Sequence, residues 1–325
     1  MLIPVLLFLV GLACLIRGGD WFVDGAVGIA RRFHLPEVLI GATVVSIGTT
    51  LPEVMVSTAG ALEGHSSIAY GNAIGSVICN TALISAITIA AKPGPVSRKS
   101  LKLPVTFFFM AAVIYAATAY ISGYFSRTIG LTLLALFVVY MILTLRQMKA
   151  TDPTADMEPE EDSENTQPTN LKKDLILLVV GAALIAVGAR LLVDNGTLIA
   201  QALGVPETVI ALTFVALGTS LPELVTAITS IAKGHGALSL GNVIGANLFN
   251  LVLVSGTAIA LRPFQVPAEK QLLGHNASLV LDLPLMFAVM LILTVPAMTK
   301  EKLYRAQGIT LLIIYFSFCI IQFLF

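Results

Sequence analysis

The sequence predicts an all-α polytopic membrane protein of ten transmembrane helices, arranged as two inverted five-helix repeats. Three observations carry that prediction. Of 325 residues, 57% are hydrophobic and only 12% charged, about half the charge of an ordinary soluble domain. The apolar residues fall into ten runs of spanning length, five on each side of a hydrophilic interval. And the second half of the chain aligns with the first when shifted by 170 residues, without a gap.

Composition narrows the function class first. A mean hydropathy of +0.91 is too high for a surface that must face water, which excludes a soluble enzyme and a disordered chain. The 19 basic residues cancel the 19 acidic ones, leaving no net attraction for phosphate and no case for nucleic-acid binding. Cys14, Cys79 and Cys319 sit in apolar runs with no CxxC pairing, so they read as small core hydrophobes rather than a disulfide or zinc framework.

The runs lie at 2–17 (continuing towards 30), 38–62, 67–91, 102–121 and 128–147, then 173–193, 207–232, 237–261, 278–297 and 303–325. This divides the chain into an N-terminal repeat at 1–147, a linker at 148–172 and a C-terminal repeat at 173–325. The first run has no Lys or Arg before it, unlike a secretory signal. It also shares Gly11, Gly18, Val23, Asp24, Ile29 and Ala30 with Gly181, Gly188, Val193, Asp194, Ile199 and Ala200, so it reads as retained structure. The linker gathers Asp152, Asp156, Glu158, Glu160, Glu161, Asp162 and Glu164 among Pro, Thr and Asn. It cannot bury apolar surface and lacks the spacing and Gly of an EF-hand loop, so it reads as a solvated linker. Of the 19 Lys and Arg, only Arg127, Arg190, Arg262 and Lys270 fall in one set of alternate loops. The positive-inside bias therefore puts both termini outside and the acidic linker in the cytoplasm.

From 36 to 84 the two copies share 18 identities in 49 positions. Five spans per copy is an odd number, so the second copy crosses the membrane in the opposite sense. Inverted repeats are a transporter architecture with the binding site near the midplane, where the copies meet. The identities are polar and concentrated in two spans of each copy. A bundle built only for packing would be free to be apolar there.

The first shared motif is Gly48-Thr49-Thr50-Leu51-Pro52-Glu53, repeated as Gly218-Thr219-Ser220-Leu221-Pro222-Glu223. Each Pro lacks an N–H and crowds the carbonyl one turn back, which predicts a break or kink that frees carbonyls beside a carboxylate. A carboxylate at membrane depth is costly and points to function. A single such Glu can instead serve a structural hydrogen bond between helices; two placed by symmetry beside two helix breaks argue for an ion site. The second motif gives Asn72, Ser76 and Asn80 on one helix face, with Gly71 and Gly75 beside it. Its copy gives Asn242, Ala246 and Asn250 with Gly241 and Gly245. Asn72 and Asn242 read as interhelical hydrogen bonds, and Asn80 and Asn250 as facing the carboxylates. All the donors are hard oxygens. With no His or Cys cluster, zinc and copper are disfavoured, and Mg²⁺ holds its waters too firmly for such a cage; calcium and sodium suit it.

With those residues in place, the chain resembles the calcium/cation antiporter superfamily, in its prokaryotic sodium/calcium exchanger branch. The residues that carry the likeness are GTTLPE at 48–53 with GNAIGSVICN at 71–80, and GTSLPE at 218–223 with GNVIGANLFN at 241–250. The resemblance implies ten helices, the first of each repeat a loosely packed sliding pair, and electrogenic exchange of about three Na⁺ for one Ca²⁺. It implies that Glu53 and Glu223 are central ligands shared by both ions. Thr49 and Thr219 would give backbone carbonyls to calcium. Thr50, Ser220 and Ser76, with the backbone of Ser46 and Ala216, would serve sodium, and Asn80 and Asn250 would flank the centre. Two departures stand out. Ala246 replaces a frequent Ser, which removes one sodium ligand. Asn250 stands where relatives carry Asp, which argues against potassium dependence. The transported ions are thus Ca²⁺ and Na⁺. The sequence singles out no other cofactor and no obligate protein partner besides the bilayer.

The remaining polar residues read as interfacial. His65 and His235 follow Gly at matching turns; Glu37 and Glu207 follow Pro at helix starts, where a carboxylate suits the dipole. Asp24, Asp194 and Trp21 suit a membrane interface, and Asp282 reads as structural. The nearest rival function is a Ca²⁺/H⁺ antiporter of the same fold with protons carried on the two Glu. Proton-coupled relatives tend to add an acid after the Gly-Asn pair, where this chain has Ile74-Gly75 and Ile244-Gly245. A cation channel is more distant, because an inverted repeat speaks for alternating access. No Ser–His or paired-Asp arrangement suggests an intramembrane enzyme.

Overall fold

The structure is a computed structural model that describes residues 2–150, 170–203, 218–268, 270–272 and 274–324. Among the described residues ten helices run in order: α1 (Leu2–Arg32), α2 (Glu37–Glu63), α3 (Ser66–Ala91), α4 (Arg98–Ile121), α5 (Arg127–Ala150), α6 (Leu171–Ala202), α7 (Leu221–Ala232), α8 (Gly236–Leu261), α9 (Ser278–Lys300) and α10 (Arg305–Leu324). Among the described residues nine of these are long and apolar enough to span a bilayer, and α7 is a shorter apolar helix. The seventh span, predicted over 207–232, is therefore seen from Leu221 onward; Glu207 and Ala216 lie outside the described residues, as does linker segment 151–169. The first span is longer than its apolar run, because α1 continues through the polar stretch to Arg32.

Burial follows polarity. The helices that carry the polar motifs, α3 and α8, are almost wholly enclosed, whereas α1, α5, α6 and α10 leave most of their apolar surface uncovered. Val113, Val179, Ile313 and Phe316 are among the large hydrophobics that face outward. That inside-out pattern fits a bilayer as solvent, since polar groups must find partners inside the bundle.

Two short strand pairs tie the repeats together. β1 (Gly94–Pro95), after α3, pairs antiparallel with β6 (Lys302–Leu303), after α9. β2 (Tyr124–Phe125), after α4, pairs with β3 (Phe264–Gln265), after α8. Each pair joins alternate loops that the span count places on the same face. The remaining strands, β4 (Gln271–Leu272) and β5 (His275–Asn276), form a local hairpin.

Helices α1 and α6 occupy equivalent places in the two repeats and pack antiparallel. A Cβ at Gly11 would lie 2.9 Å from the carbonyl oxygen of Gly188, and one at Gly18 would lie 2.9 Å from that of Gly181. Antiparallel contact between equivalent helices is what inversion requires. Glycines seven residues apart let the two backbones touch. Leu15, Phe22, Ile185 and Ala189 form a hydrophobic cluster of their own around this crossing, distinct from the main core built on α3, α4, α8 and α9.

Candidate functional site

Helix α2 is held in place before it delivers its motif. It opens at Glu37 after Pro36 and widens into a π turn at Gly41–Val45. The Tyr140 hydroxyl, from α5, donates to the Ala42 carbonyl at 2.9 Å, and α8 closes against the turn where a Cβ on Gly241 would collide with the Val38 carbonyl. From Ser46 the chain is helical to Glu63 with Pro52 inside. Of the predicted break or kink at Pro52, the break does not occur, since the helix runs through it. A proline deprives the carbonyl one turn back of its donor without forcing the helix to stop, and the irregularity sits upstream in the π turn. The second copy does break: Thr219 and Ser220 form a turn, Ser220 has φ −90° and ψ 3°, and Pro222 stands in the first turn of α7, where a missing N–H costs nothing.

Both Glu side chains are fully buried, as are Thr50, Asn80 and Asn250, while Ser46, Thr49, Ser76 and Ser220 are nearly so; Thr219 is half-buried. Glu53 and Glu223 lie within electrostatic reach of one another, and the Thr49 hydroxyl sits beside the Glu223 carboxylate. Among the buried side-chain atoms that make no hydrogen bond are three symmetric pairs: both oxygens of Glu53 and of Glu223, the hydroxyls of Thr50 and Ser220, and the amide groups of Asn80 and Asn250, each with one oxygen. That makes eight oxygens. Buried polar atoms are nearly always paired, and two charges buried without partners are unfavourable by several kcal/mol. A cation among them would satisfy the set. Among the described residues no group of three or more His, Cys, Asp or Glu gathers, so the centre is two carboxylates amid neutral oxygens.

The flanking polar residues do different work in the two copies. Asn72 donates to the Glu53 carbonyl at 3.1 Å and to the Ser57 hydroxyl at 2.8 Å, tying α3 to α2 within one repeat. Asn242 accepts from Ser46 and Thr49 at 3.3 Å each, tying α8 to α2 across the repeats. Both are the interhelical bonds the sequence suggested. Gly245 and Gly241 face α2 closely. Among the described residues nothing approaches Gly71 and Gly75 within 4 Å; the stretch equivalent to Val38–Ser46, residues 208–216, is outside them.

Two features escaped the sequence. Matched π turns begin at the two site asparagines, Asn80–Ser85 and Asn250–Ser255; such turns often mark functional positions and leave no periodicity to read. Asn247 is fully buried and donates to the Thr81 hydroxyl at 2.7 Å, fastening α8 to α3. Its counterpart is Val77, so comparison of the copies hid it. At the margins, Asp282 accepts from Gln322 at 3.1 Å, and His65 and His235 stand at the N-termini of α3 and α8 without capping them through their side chains.

The comparisons with known proteins agree with this fold. A family model described as sodium/calcium exchanger protein matches residues 3–146 and 173–324. The chain is 35% identical to an uncharacterised membrane protein of Methanocaldococcus jannaschii over 95% of its length and 94% of the relative's. It is 30% identical to the sodium/calcium exchanger MaX1 of Methanosarcina acetivorans, covering 98% of each. Among solved structures it superposes on the sodium-calcium exchanger NCX_Mj, soaked with 2.5 mM Na⁺ and 10 mM Sr²⁺, with a TM-score of 0.80, 34% identity and 97% of each chain covered.

Proposed function

Because the chain belongs to the sodium/calcium exchanger protein family, we propose that it exchanges Na⁺ for Ca²⁺ across the cell membrane by alternating access at the Glu53–Glu223 centre. The observation that carries this is the set of eight unpartnered buried oxygens in three symmetric pairs. Calcium takes about 6–8 oxygens, carboxylates among them, and its charge balances the two Glu. Glu53 and Glu223 bind either ion. The backbone carbonyls of Thr49 and Thr219 complete the calcium shell. The hydroxyls of Thr50, Ser220 and Ser76 and the carbonyls of Ser46 and Ala216 hold sodium, with Asn80 and Asn250 at the flanks. Several Na⁺ spread over these oxygens draw on the same two negative charges, so the two loads exclude each other and the gradient of one drives the other. Ala246 leaves one sodium position short of a hydroxyl.

The site is delivered by an N-terminal repeat at 1–147 and an inverted repeat at 173–325, joined by a linker at 148–172. The positive-inside bias supports termini outside and a cytoplasmic linker in the prokaryotic inner membrane. Calcium–calcium exchange across reconstituted vesicles tests the shared site. Sodium added equally on both sides should raise the apparent KM for Ca²⁺ without changing the maximal rate. A calcium affinity indifferent to sodium would overturn the proposal.

A further inference from the structure

The two repeats place matching residues around the ion site, but the structure treats the two ends of the molecule differently. At one end, α1 lies on α7: a Cβ at Gly19 would stand 2.7 Å from Val225 Cγ1 and 2.8 Å from Thr229 Oγ1. There Lys233, just past the end of α7, donates to Asp24 Oδ1 at 2.8 Å and to the Asp20 carbonyl at 3.0 Å, and its ammonium is 3.4 Å from Asp20 Oδ1. Beside it, His235 Nδ1 is 2.7 Å from Glu37 Oε1. Leu221, Val225 and Thr229 are half-buried along that face.

Among the described residues, the symmetric end is uncovered. The counterparts of Leu221, Val225 and Thr229 are Leu51, Met55 and Ala59 on α2, and all three are exposed, Met55 by 71%. The counterpart of Lys233 is Glu63, and the counterpart of Asp20 is Arg190. Both of these signs are inverted together, so the Glu63–Arg190 pair would attract, whereas the counterpart of Asp24 is Asp194, which keeps its sign and pairs with Arg190 instead. In this structure Glu63 is exposed. Arg190 projects from α6 with its side chain 85% exposed and, among the described residues, pairs with Asp194, one turn on, at 3.5 Å.

Resting on the alternating-access reading above, we propose that Glu63 and Arg190 form, in the opposite-facing state, the counterpart of the Lys233–Asp20 ion pair. Exchange of one latch for the other sets the side to which the ion site opens. In that state α6 covers Leu51, Met55 and Ala59 as α1 now covers Leu221, Val225 and Thr229, and the first latch parts. The glycine-lined α1–α6 contact lets the two helices move as one unit, so closing one end uncovers the other. A state stabilised by a ligand or contact gains population in proportion to that contact's differential energy, so each latch biases the cycle. With the loops assigned as above, the closed end is cytoplasmic and the structure faces outward. Glu63 and Arg190 are positioning residues, since neither touches the transported ion.

Charge reversal with rescue decides the matter. In vesicles loaded with sodium, Glu63→Arg alone and Arg190→Glu alone should each slow calcium uptake by about threefold or more, the scale of a partly exposed ion pair. Glu63→Arg with Arg190→Glu should return uptake towards the wild-type rate. Nothing in the present structure joins these two side chains, so rescue requires a second state in which they meet. Singles without effect, or a double variant no better than the worse single, would overturn the proposal. Monodisperse elution on size exclusion checks folding, and if a reversal fails to fold, Glu63→Gln and Arg190→Gln with their double give the same comparison as a non-additive loss. Wild-type uptake in the same vesicles separates a failed latch from a failed exchanger reading.

Discussion

Replacing Glu53 with Gln keeps the shape of the side chain and removes one of the two charges at the centre. In the ion-free protein its two carboxylate oxygens are fully buried, without a protein donor, and near a second buried carboxylate. In the proposed loaded form they face the ion. The substitution therefore acts in opposite directions on the two forms. Removing one partner of a buried ion pair costs about 3–5 kcal/mol, and each 1.4 kcal/mol is about tenfold in affinity. Calcium binding should weaken by roughly a hundredfold to several thousandfold, and exchange should disappear. The ion-free protein loses an unpaired buried charge and its repulsion with Glu223, so its thermal midpoint in chelator should rise. The assay is thermal unfolding in detergent with chelator and across a calcium titration, beside vesicle uptake. Wild type should gain a calcium-dependent rise in midpoint through linkage, and Glu53→Gln should begin higher and gain almost nothing. A variant that keeps the calcium-dependent rise, or is less stable in chelator, would refute the argument that the two carboxylates wait for a cation.

Other outcomes follow from the same geometry. Ala246→Ser restores the hydroxyl that Ser76 supplies in the other repeat, and should lower the sodium concentration needed for half-maximal calcium efflux while leaving calcium self-exchange nearly unchanged. Asn72→Ala removes two hydrogen bonds, including the one to the Glu53 carbonyl; it should cost about 1–3 kcal/mol of stability and weaken calcium binding, read by the same thermal titration. Gly18→Leu puts a side chain where even a Cβ meets the Ile185 amide nitrogen at 2.8 Å. Overpacking of about 1–3 kcal/mol should separate α1 from α6, and calcium uptake should fall more than calcium binding.

Much of this was legible in the sequence because the copies report on each other. Glu53 and Glu223, Asn80 and Asn250, and Thr50 and Ser220 announce themselves by corresponding at a fixed shift, and each of the six is buried. Asn72 and Asn242 were rightly set apart as interhelical. Symmetry fails where the protein is asymmetric. It did not show that Pro52 lies inside a helix while Pro222 begins one, because the same proline is compatible with both and the neighbouring turns decide. It hid Asn247, whose counterpart is Val77. It gave no sign of the π turns at the two asparagines, since an extra residue in one turn leaves the apolar pattern on either side intact. Nor did it reveal that Lys233 is paired while Arg190 is exposed, because which end is closed belongs to a conformation, not to a residue pattern.

The central claim is that a sodium gradient drives calcium through the Glu53–Glu223 centre. The most direct measurement is radioactive calcium uptake by purified protein in liposomes loaded with sodium and diluted into sodium-free buffer, beside liposomes carrying only a pH gradient. The account predicts uptake with the sodium gradient, none with the pH gradient, and loss of uptake in Glu53→Gln and in Glu223→Gln. Uptake driven by the pH gradient alone, or sodium-driven uptake that survives either substitution, would contradict it.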